Sequence, residues 1–334
     1  MKLRQKISAG MGIYKSILLK KKIPVAVRWE LTFRCTNRCQ YCSLWKGPFP
    51  HELTKDEIFR ITDDLARSGT KRISLSGGEP MLRADVGEII NYIAGKGISV
   101  SMNTDGVMVA DRASELQALD LVKISVDGDE KTHNFLAGNK NSYQQAVSAA
   151  RAVRNIGVPL IFTTTMTKYN LDKIDYLVNL AREYDAMVAF QPFKVMYKGV
   201  SAENGLLPNP AEMRLAINRI IELKKVYPKN IRNTMLSLEH IINWPKFSFV
   251  KCRAGQIFFI INPDGTLLPC DRADGYTHTN FPNLKNMSIN EAINGLPTVI
   301  CNGCGFLGAL ELNYIASFKI PRQVVKVLDY LTKK

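Results

Sequence analysis

The sequence has no apolar run long enough to cross a membrane. Its longest runs, such as Ile257 to Ile261, fall far short of the roughly 18 or more residues that a transmembrane helix needs. The N-terminus also lacks the long apolar core and small-residue cleavage site of a signal peptide. These absences predict a cytoplasmic protein. With 46% hydrophobic residues among 334, the chain can bury a full core, which excludes a disordered or fibrous protein.

Acidic residues are missing from the first 22 positions, which carry seven of the lysines and arginines behind the net charge of +15. One interpretation is a solvated basic arm. In the other, apolar residues from Ile13 to Leu19 interleave with the lysines and form an amphipathic helix on the anionic inner face of a membrane. Residues 311–334 are also basic and apolar, and they predict a C-terminal helix. We expect no nucleic-acid partner, because no recognition motif accompanies the charge.

The cysteines are few and unevenly placed. Seven is an odd number, and five of them lie in two tight groups, which favours metal ligation in a reducing compartment over a disulfide framework. Cys35, Cys39 and Cys42 lie within eight residues and have no fourth cysteine nearby. Structural zinc takes four ligands, and the nearest plausible fourth, His51, follows a bend rich in glycine and proline. We favour a cubane iron–sulfur cluster, since three cysteines leave one iron open to a chelating small molecule.

Short β-rich runs alternate with longer helical patterns from residue 25 onward. This order predicts an α/β fold with a parallel sheet and right-handed crossovers, either open or curled toward a barrel. The predicted strands are 25–32, 72–77, 98–104, 121–128, 159–167 and 187–193. The predicted helices are 55–68, 85–94, 111–119, 142–155, 171–184 and 209–226. Thr54 and Glu57 form a capping box at the first of these helices, and Gly69 ends it.

The alternation stops after Tyr227, where a hairpin-like stretch with a turn at Pro263 to Gly265 begins a region that holds the other four cysteines. We therefore predict four parts of the chain. These are a basic arm at 1–24, the α/β core at 25–230, a small α+β cysteine-bearing module at 231–310, and the basic C-terminal helix at 311–334.

Polar residues follow four of the predicted strands, at the end where α/β enzymes place their chemistry. The cysteine group follows the first strand. After the second comes SGGEP, in which Gly77 and Gly78 let the backbone approach a ligand closely and Glu79 offers a carboxylate to an ammonium group. The polar residues after the third and fourth strands are Asn103, Thr104, Ser125 and Asp127. Each alone is more typical of a cap or turn, but four strands converging on one rim predict a ligand site.

With these residues the sequence resembles the radical S-adenosylmethionine (radical SAM) superfamily, over about Arg28 to Phe193. The family signature CxxxCxxC corresponds to Cys35, Cys39 and Cys42, and its GGE motif to residues 77–79. In that family the open iron is chelated by the amino and carboxylate groups of S-adenosylmethionine (SAM). The resemblance therefore implies SAM as the missing ligand, and a partial (β/α)6 barrel as the fold.

The resemblance also implies roles for individual residues. Tyr41 would pack against the adenine, the backbone from Ser76 together with Glu79 would hold the methionine ammonium, and Asn103 and Ser125 would contact the ribose.

One position departs from the family pattern. Relatives often have an arginine before a glycine after the fourth strand, on the SAM carboxylate, but here Ala137 precedes Gly138. The carboxylate partner is thus left open. Lys140 is close in sequence, although a solvated loop lysine is the simpler interpretation.

The second group of cysteines comprises Cys252, Cys270, Cys301 and Cys304. Four thiolates can fully ligate either zinc or a [4Fe-4S] cluster. The stretch from Cys252 to Cys270, in which four residues separate Gly265 from the last cysteine, resembles the start of the SPASM and twitch modules that bind auxiliary clusters in many radical SAM enzymes. This resemblance favours a second [4Fe-4S] cluster.

The resemblance implies reductive cleavage of SAM to methionine and a 5′-deoxyadenosyl radical, which abstracts a hydrogen atom from an organic substrate. A flavodoxin or ferredoxin would supply the electron. Small polar metabolites such as sugars, or lipid-linked molecules, are the substrates we favour. A peptide served by a separate recognition protein is the alternative, and an electron carrier or binding protein without chemistry of its own is the alternative of another class. Candidate substrate-facing residues are Thr165, Gln191 and Lys194.

Overall fold

The structure, a computed structural model, describes residues 3–47, 49–193, 205–270, 280–297 and 304–317. Within these ranges lie eight strands and ten α-helices. The strands are β1 (Ala26–Glu30), β2 (Arg72–Ser76), β3 (Ser99–Thr104), β4 (Leu121–Ser125), β5 (Leu160–Met166), β6 (Met187–Pro192), β7 (Phe258–Ile261) and β8 (Leu267–Leu268). The helices are α1 (Leu3–Leu18), α2 (Lys55–Arg67), α3 (Val86–Gly95), α4 (Glu130–Ala137), α5 (Ser142–Asn155), α6 (Ile174–Glu183), α7 (Pro210–Val226), α8 (Met235–Ile241), α9 (Ile289–Asn294) and α10 (Leu307–Ala316).

The strands form one sheet in the order β6-β5-β4-β3-β2-β1-β7-β8. Strands β1 to β6 pair in parallel with their sequence neighbours. Strand β7 adds in parallel on the other side of β1, and β8 pairs antiparallel with β7. All six predicted strands of the core are confirmed, and so is the α/β class with a partial, open barrel.

The two faces of the sheet differ in chemistry because side chains alternate along each strand. The face packed against the helices is apolar, with Trp29, Leu75 and Phe162 fully buried. The concave face carries polar side chains that are only partly buried, among them Ser74 and Lys123. This face is therefore polar, and we call the space that it borders the chamber.

Helix α2 begins where its sequence predicts. The Thr54 side chain accepts a hydrogen bond from the amide of Glu57, and the Glu57 carboxylate accepts one from the amide of Thr54, so the capping box is formed. Gly69 follows the helix with a φ of +97°, a value that glycine adopts without steric cost. The two ends of α2 therefore lie where the sequence predicts them.

Two parts of the core differ from the prediction. The helix predicted at 111–119 is only a 3₁₀ turn at Ala113–Leu116, because Arg112 is committed to the carbonyl oxygens of Met81, Arg83 and Ala84. Helix α4 was not predicted at all.

The C-terminal region joins the core more closely than the predicted boundary near residue 230 suggests. The predicted hairpin turn is confirmed, with the Gly265 amide bonded to the Asn262 carbonyl. Its first strand, β7, extends the core sheet, so that the sheet is continuous across the boundary. The division into four parts stays a prediction, and most of the predicted C-terminal helix, residues 318–334, lies outside the described residues.

In the described part of the chain, no helix combines the length and apolar character that crossing a bilayer would require.

Candidate functional site

The candidate site lies at the carboxyl ends of the parallel strands, where α/β folds place ligands. The loop after β1 carries Cys35, Cys39 and Cys42, and each of these cysteines is partly buried. The segments that follow β2, β3 and β4 reach the same mouth. The predicted convergence of four strand ends is therefore present.

The cysteine loop is fastened to the end of α4 by backbone hydrogen bonds. The amide of Arg38 donates to the Ala137 carbonyl at 2.9 Å, and the amide of Gln40 donates to the Leu136 carbonyl at 3.0 Å. Gly138 adopts a φ of +61°, and a Cβ there would lie 2.6 Å from the Arg38 carbonyl oxygen. The Ala137–Gly138 pair thus positions the cysteine loop through its backbone, and the buried Ala137 side chain offers no charge to a carboxylate.

A buried polar network supports the same loop from below. The side chain of Asn37 donates to the hydroxyl of Ser142 at 3.0 Å, and that hydroxyl lies 3.0 Å from Nε2 of His133. Nδ1 of His133 accepts from the amide of Asp127 at 3.0 Å, so the ring proton is on Nε2. Burial lowers the pKa of His133 to about 4, and the ring is therefore neutral at pH 7. His133 links the end of β4 to the cysteine loop and does not face the chamber as an acid or base.

The glycines of SGGEP permit a close approach between two parts of the chain. The amide of Gly78 donates to the Thr32 carbonyl at 2.7 Å, and that of Glu79 donates to the Arg34 carbonyl at 2.8 Å. A Cβ on Gly78 would lie 2.0 Å from the Arg34 carbonyl oxygen, which no side chain can tolerate. The sequence reasoning attributed the need for glycine here to a ligand. In the structure, the close neighbour of Gly78 is the segment from Thr32 to Arg34 that leads into the cysteine loop.

Glu79 is fully buried and holds two strand ends together. Its carboxylate accepts hydrogen bonds from the amide of Met81 at 2.9 Å, the hydroxyl of Thr104 at 2.8 Å and the amide of Asp105 at 2.7 Å. Burial, followed by the charge of Asp105, raises the pKa of Glu79 well above its usual range. Its role in holding an ammonium group stays a prediction, since the carboxylate is already surrounded by donors from β3 and its own turn.

Asp105 lies beside the first cysteine and was not singled out from the sequence. Its Oδ2 accepts from the Thr36 hydroxyl at 3.0 Å and lies 3.9 Å from Sγ of Cys35. Burial, and then the charge of Asp105, raises the pKa of Cys35 to about 12. A bound cationic metal centre reverses this preference, because a coordinating thiol is deprotonated outright. The sequence signal that could have identified it is its position, since Asp105 directly follows the third predicted strand.

Tyr41 and Asp127 form a second contact between the cysteine loop and the sheet. The phenol donates to Oδ2 of Asp127 at 2.5 Å, and Oδ1 accepts from the amide of Thr165 at 2.8 Å. Burial raises the pKa of Asp127 to about 6. The Tyr41 ring packs against Leu136 and Phe193. Its predicted contact with adenine stays a prediction.

The remaining predicted cofactor contacts line the concave face. Ser76 and Ser125 are partly buried at the ends of their strands. The side-chain amide of Asn103 donates to the Leu75 carbonyl at 3.1 Å and to the Ser74 hydroxyl at 3.3 Å, and these bonds fix the orientation of the side chain. These positions are compatible with a ribose, and that role is untested. The predicted substrate-facing residue Lys194 lies outside the described residues.

The floor of the chamber carries basic side chains. Nζ of Lys123 donates to the Ser74 hydroxyl at 2.9 Å. Burial, and then the charges of Arg72 and Arg232, hold the pKa of Lys123 well below its usual range. An anion bound beside these basic side chains would stabilise their charged forms.

The second cysteine group surrounds a small apolar cluster beside β7. Cys252, Cys270 and Cys304 all pack against a cluster that contains Ile257 and Phe258, whereas the fourth predicted ligand, Cys301, lies outside the described residues. The amide of Ala254 donates to Sγ of Cys252 at 3.5 Å, and that of Phe306 donates to Sγ of Cys304 at 3.4 Å. Amide hydrogen bonds to sulfur stabilise thiolates and tune iron–sulfur clusters.

Gln191 of β6 and His240 of α8 hold the backbone around Cys304 in place. Gln191 donates to the Gly305 carbonyl at 2.6 Å and accepts from the amide of Leu307 at 2.8 Å. Nε2 of His240 lies 2.9 Å from the Cys304 carbonyl, to which it donates. Gln191 was predicted to face the substrate, but both ends of its amide are bonded to the segment after Cys304. It therefore connects the last strand of the core to the second cysteine group.

Both cysteine groups provide the donor type that an iron–sulfur cluster needs, and none of the six described cysteines is in a disulfide with another. Among the residues described, no three His, Cys, Asp or Glu side chains lie close enough to hold a single metal ion. Thiolates are the ligands that iron–sulfur clusters take, so the chemistry of the two donor sets fits a cluster.

Comparison with known proteins identifies relatives of this arrangement. A sequence profile of the Radical SAM superfamily matches residues 29–181. The PqqA peptide cyclase of Rhodopseudomonas palustris is 30% identical over 276 residues, which cover 79% of this chain and 71% of that protein. The PqqA peptide cyclase of Bradyrhizobium diazoefficiens is 29% identical over 275 residues, with the same two coverages. The fold is similar to that of Streptococcus suis SuiB bound to S-adenosylmethionine, with a TM-score of 0.67 and 17% identity over 84% of this chain and 68% of SuiB.

Proposed function

Because the chain belongs to the radical SAM superfamily, we propose that it is a peptide-modifying radical SAM enzyme. Its cofactors are SAM and a [4Fe-4S] cluster, and its substrate is an organic molecule. The observation that carries the peptide assignment is the similarity to PqqA peptide cyclases, which extends over 276 residues and therefore well beyond the profile match at 29–181. This replaces the small or lipid-linked substrate favoured from the sequence.

We assign the first cluster to Cys35, Cys39 and Cys42, and Ser76, Asn103 and Ser125 would contact SAM. When bound, the cluster and SAM would supply one-electron reductive cleavage of SAM and abstraction of a hydrogen atom from the substrate. The chain's own residues hold the loop, exclude water and orient the substrate. The backbone amides of Gly78 and Glu79 already donate hydrogen bonds to the segment that leads into the cysteine loop. Their segment would therefore bind the methionine ammonium through its carbonyl oxygens.

The polar concave face would hold the substrate. Ser125 and Thr165 face the same chamber from neighbouring strands, and Lys123 places on its floor an amine whose protonated form a bound anionic group would stabilise. A peptide carries a terminal carboxylate, and often acidic side chains, that such a floor attracts. A separate recognition protein would deliver the peptide.

We also propose that Cys252, Cys270, Cys301 and Cys304 hold an auxiliary [4Fe-4S] cluster. All four irons would then have protein ligands, so the cluster would transfer electrons to or from a substrate radical and would not bind substrate directly. A flavodoxin or ferredoxin would reduce the first cluster. The net positive charge of the chain favours such acidic partners.

Deuterium transfer tests the substrate class. Cells that make the protein are grown in deuterated medium and extracted into small polar metabolites, lipids, and peptides with proteins. The reconstituted enzyme is given each fraction with unlabelled SAM and a reductant, and the 5′-deoxyadenosine formed is weighed by mass spectrometry. We expect deuterium only with the peptide fraction, and its loss after protease treatment. Label from the metabolite or lipid fraction would contradict the peptide assignment.

The same assay addresses the chamber floor. We expect Lys123→Met to reduce deuterium transfer from the peptide fraction while the slow cleavage of SAM without substrate persists. An unchanged transfer would remove Lys123 from substrate binding without affecting the peptide assignment.

A further inference from the structure

Helix α1 is held against the protein by one face. Ile13 is 4% exposed and packs in the apolar cluster with Val25 and Phe258. The backbone carbonyl of Ser16 accepts a hydrogen bond from the side chain of Gln256 at 3.4 Å, and the Ser16 hydroxyl donates to the Lys21 carbonyl at 2.6 Å. The helix therefore presents a defined outer face in a fixed orientation.

That outer face is apolar and exposed. Ile7, Met11, Tyr14 and Leu18 are 54%, 61%, 53% and 65% exposed. Their spacing of four, three and four residues places them in one stripe along the helix. Large exposed apolar side chains that form a contiguous stripe mark a contact surface, whereas scattered ones need no explanation.

The surroundings of the stripe are basic. Lys15 projects from the same helix, Lys20 and Lys21 follow it directly, and all three are exposed. No aspartate or glutamate occurs in the sequence before Glu30. An apolar stripe bordered by lysines and lacking acids matches a surface that is anionic outside and apolar within.

A cavity of about 340 Å³ opens beside the stripe, between α1 and the end of α2. It is lined by Met11 of the stripe and by three cationic side chains, Lys15, Arg67 and Lys71. Among the described residues, the one carboxylate within ion-pair distance of these cations is Asp64, 3.8 Å from Arg67. Ser68 also lines the cavity, and its buried hydroxyl has no hydrogen-bond partner among the described residues.

We propose that the outer face of α1 docks on a bilayer that contains anionic phospholipid. The stripe from Ile7 to Leu18 lies among the upper acyl chains, and the cavity receives a lipid phosphate. Lys15, Arg67 and Lys71 neutralise that phosphate. The helix lies in the interface and does not span the membrane, as its packing on the protein requires.

Vesicle flotation of the reconstituted full-length protein tests this proposal. Vesicles of about three parts phosphatidylglycerol to seven parts phosphatidylcholine are compared with pure phosphatidylcholine. We expect the protein to float with the anionic vesicles, with at least about tenfold weaker binding to the neutral ones. Absence of binding to the anionic vesicles would overturn the proposal.

Two variants separate the stripe from the cavity. Ile7→Glu combined with Leu18→Glu should abolish binding to both vesicle types, whereas Lys15→Gln combined with Lys71→Gln should remove the preference for the anionic one. The matched control is Leu215→Glu, which alters a 70% exposed leucine on α7 and should change nothing. Substrate-free cleavage of SAM should be unchanged in all three, which shows that they fold.

Three other results would also overturn the proposal. Equal loss of binding in the Leu215 control would indicate adhesion by general charge and hydrophobicity. Displacement from vesicles by millimolar inorganic phosphate, with tight phosphate binding in their absence, would make the cavity a site for a soluble anion. A dimer in light scattering that the stripe variant converts to a monomer would make the stripe an interface between two copies.

Discussion

The first cysteine region, Cys35 to Cys42, lies on one loop, whereas the second brings Cys252, Cys270 and Cys304 from three segments. The first is supported by polar contacts from several strand ends and is flanked by the carboxylates of Asp105 and Asp127. The second surrounds an apolar cluster and receives amide hydrogen bonds at two sulfurs. We infer that the first region is built around an exchangeable ligand and the second around a permanent one.

The largest expected effect separates the two regions by function. Cys39→Ser should lower 5′-deoxyadenosine formation to the level of enzyme without iron, because the first cluster loses a ligand. Cys304→Ser should retain substrate-free cleavage and lose turnover of substrate. The measurement is 5′-deoxyadenosine by chromatography under anaerobic conditions. Normal cleavage by the Cys39 variant would refute the assignment of the first region.

Gly78→Ala tests whether the first region depends on the close approach of its backbone segments. The added Cβ would lie 2.0 Å from the Arg34 carbonyl oxygen. We expect the free energy of unfolding to fall by about 3 kcal/mol, and the first region to lose its iron. Gly95→Ala is the matched control, because its Cβ meets nothing within 4 Å. It should be neutral or stabilise α3 by up to about 1 kcal/mol. Urea denaturation and iron analysis of both variants decide the point, and equal stabilities would refute the role of the glycine.

Gln191→Leu should weaken the second region alone. The change leaves the Gly305 carbonyl and the Leu307 amide without their partner, at a cost of about 2 kcal/mol. Hydrogen exchange should accelerate at residues 305–310 and remain unchanged at 35–42. Gln144→Met, which removes an exposed bond to Glu130, should have no such effect. Faster exchange in the cysteine loop would show that the two regions are not independent.

The smallest expected effect at neutral pH is that of His133, which confers a pH dependence on the first region. Burial lowers its pKa in the folded protein from 6.5 to about 4, so the unfolded chain binds more protons between these values. Its contribution to stability is present above pH 6.5 and is lost as the pH falls toward 4, at about 1.4 kcal/mol per pH unit. Unfolding of His133→Gln should lack this slope, whereas exposed His51→Gln should keep it. Parallel stability curves for wild type and His133→Gln would contradict the assignment.

The sequence predicted the first region better than the second for a physical reason. Local periodicity marks strands and helices, and a short loop keeps Cys35, Cys39 and Cys42 together in any fold. Pairing of β7 with β1 joins residues more than 220 positions apart, which no local pattern encodes. The link from Gln191 to Gly305 spans 114 positions, which is also beyond the reach of a local pattern.

Within the first region, sequence reasoning found the residue types and missed some of their partners. Glu79, Asn103 and Tyr41 were predicted to face a cofactor, yet each already has partners within the protein. Asp105 and Asn37, which position the cysteine loop, resemble ordinary turn residues in sequence. Their roles depend on which strand end lies beside which, and this follows from the folded sheet.

The most direct test of two cluster-binding regions is the content of iron, acid-labile sulfide and zinc per chain after anaerobic reconstitution. We predict about eight irons and eight sulfides in the wild-type protein, and about four of each when either cysteine region is replaced by serines. About four irons with one zinc in the wild-type protein would contradict the account, because the second region would then be a structural zinc site.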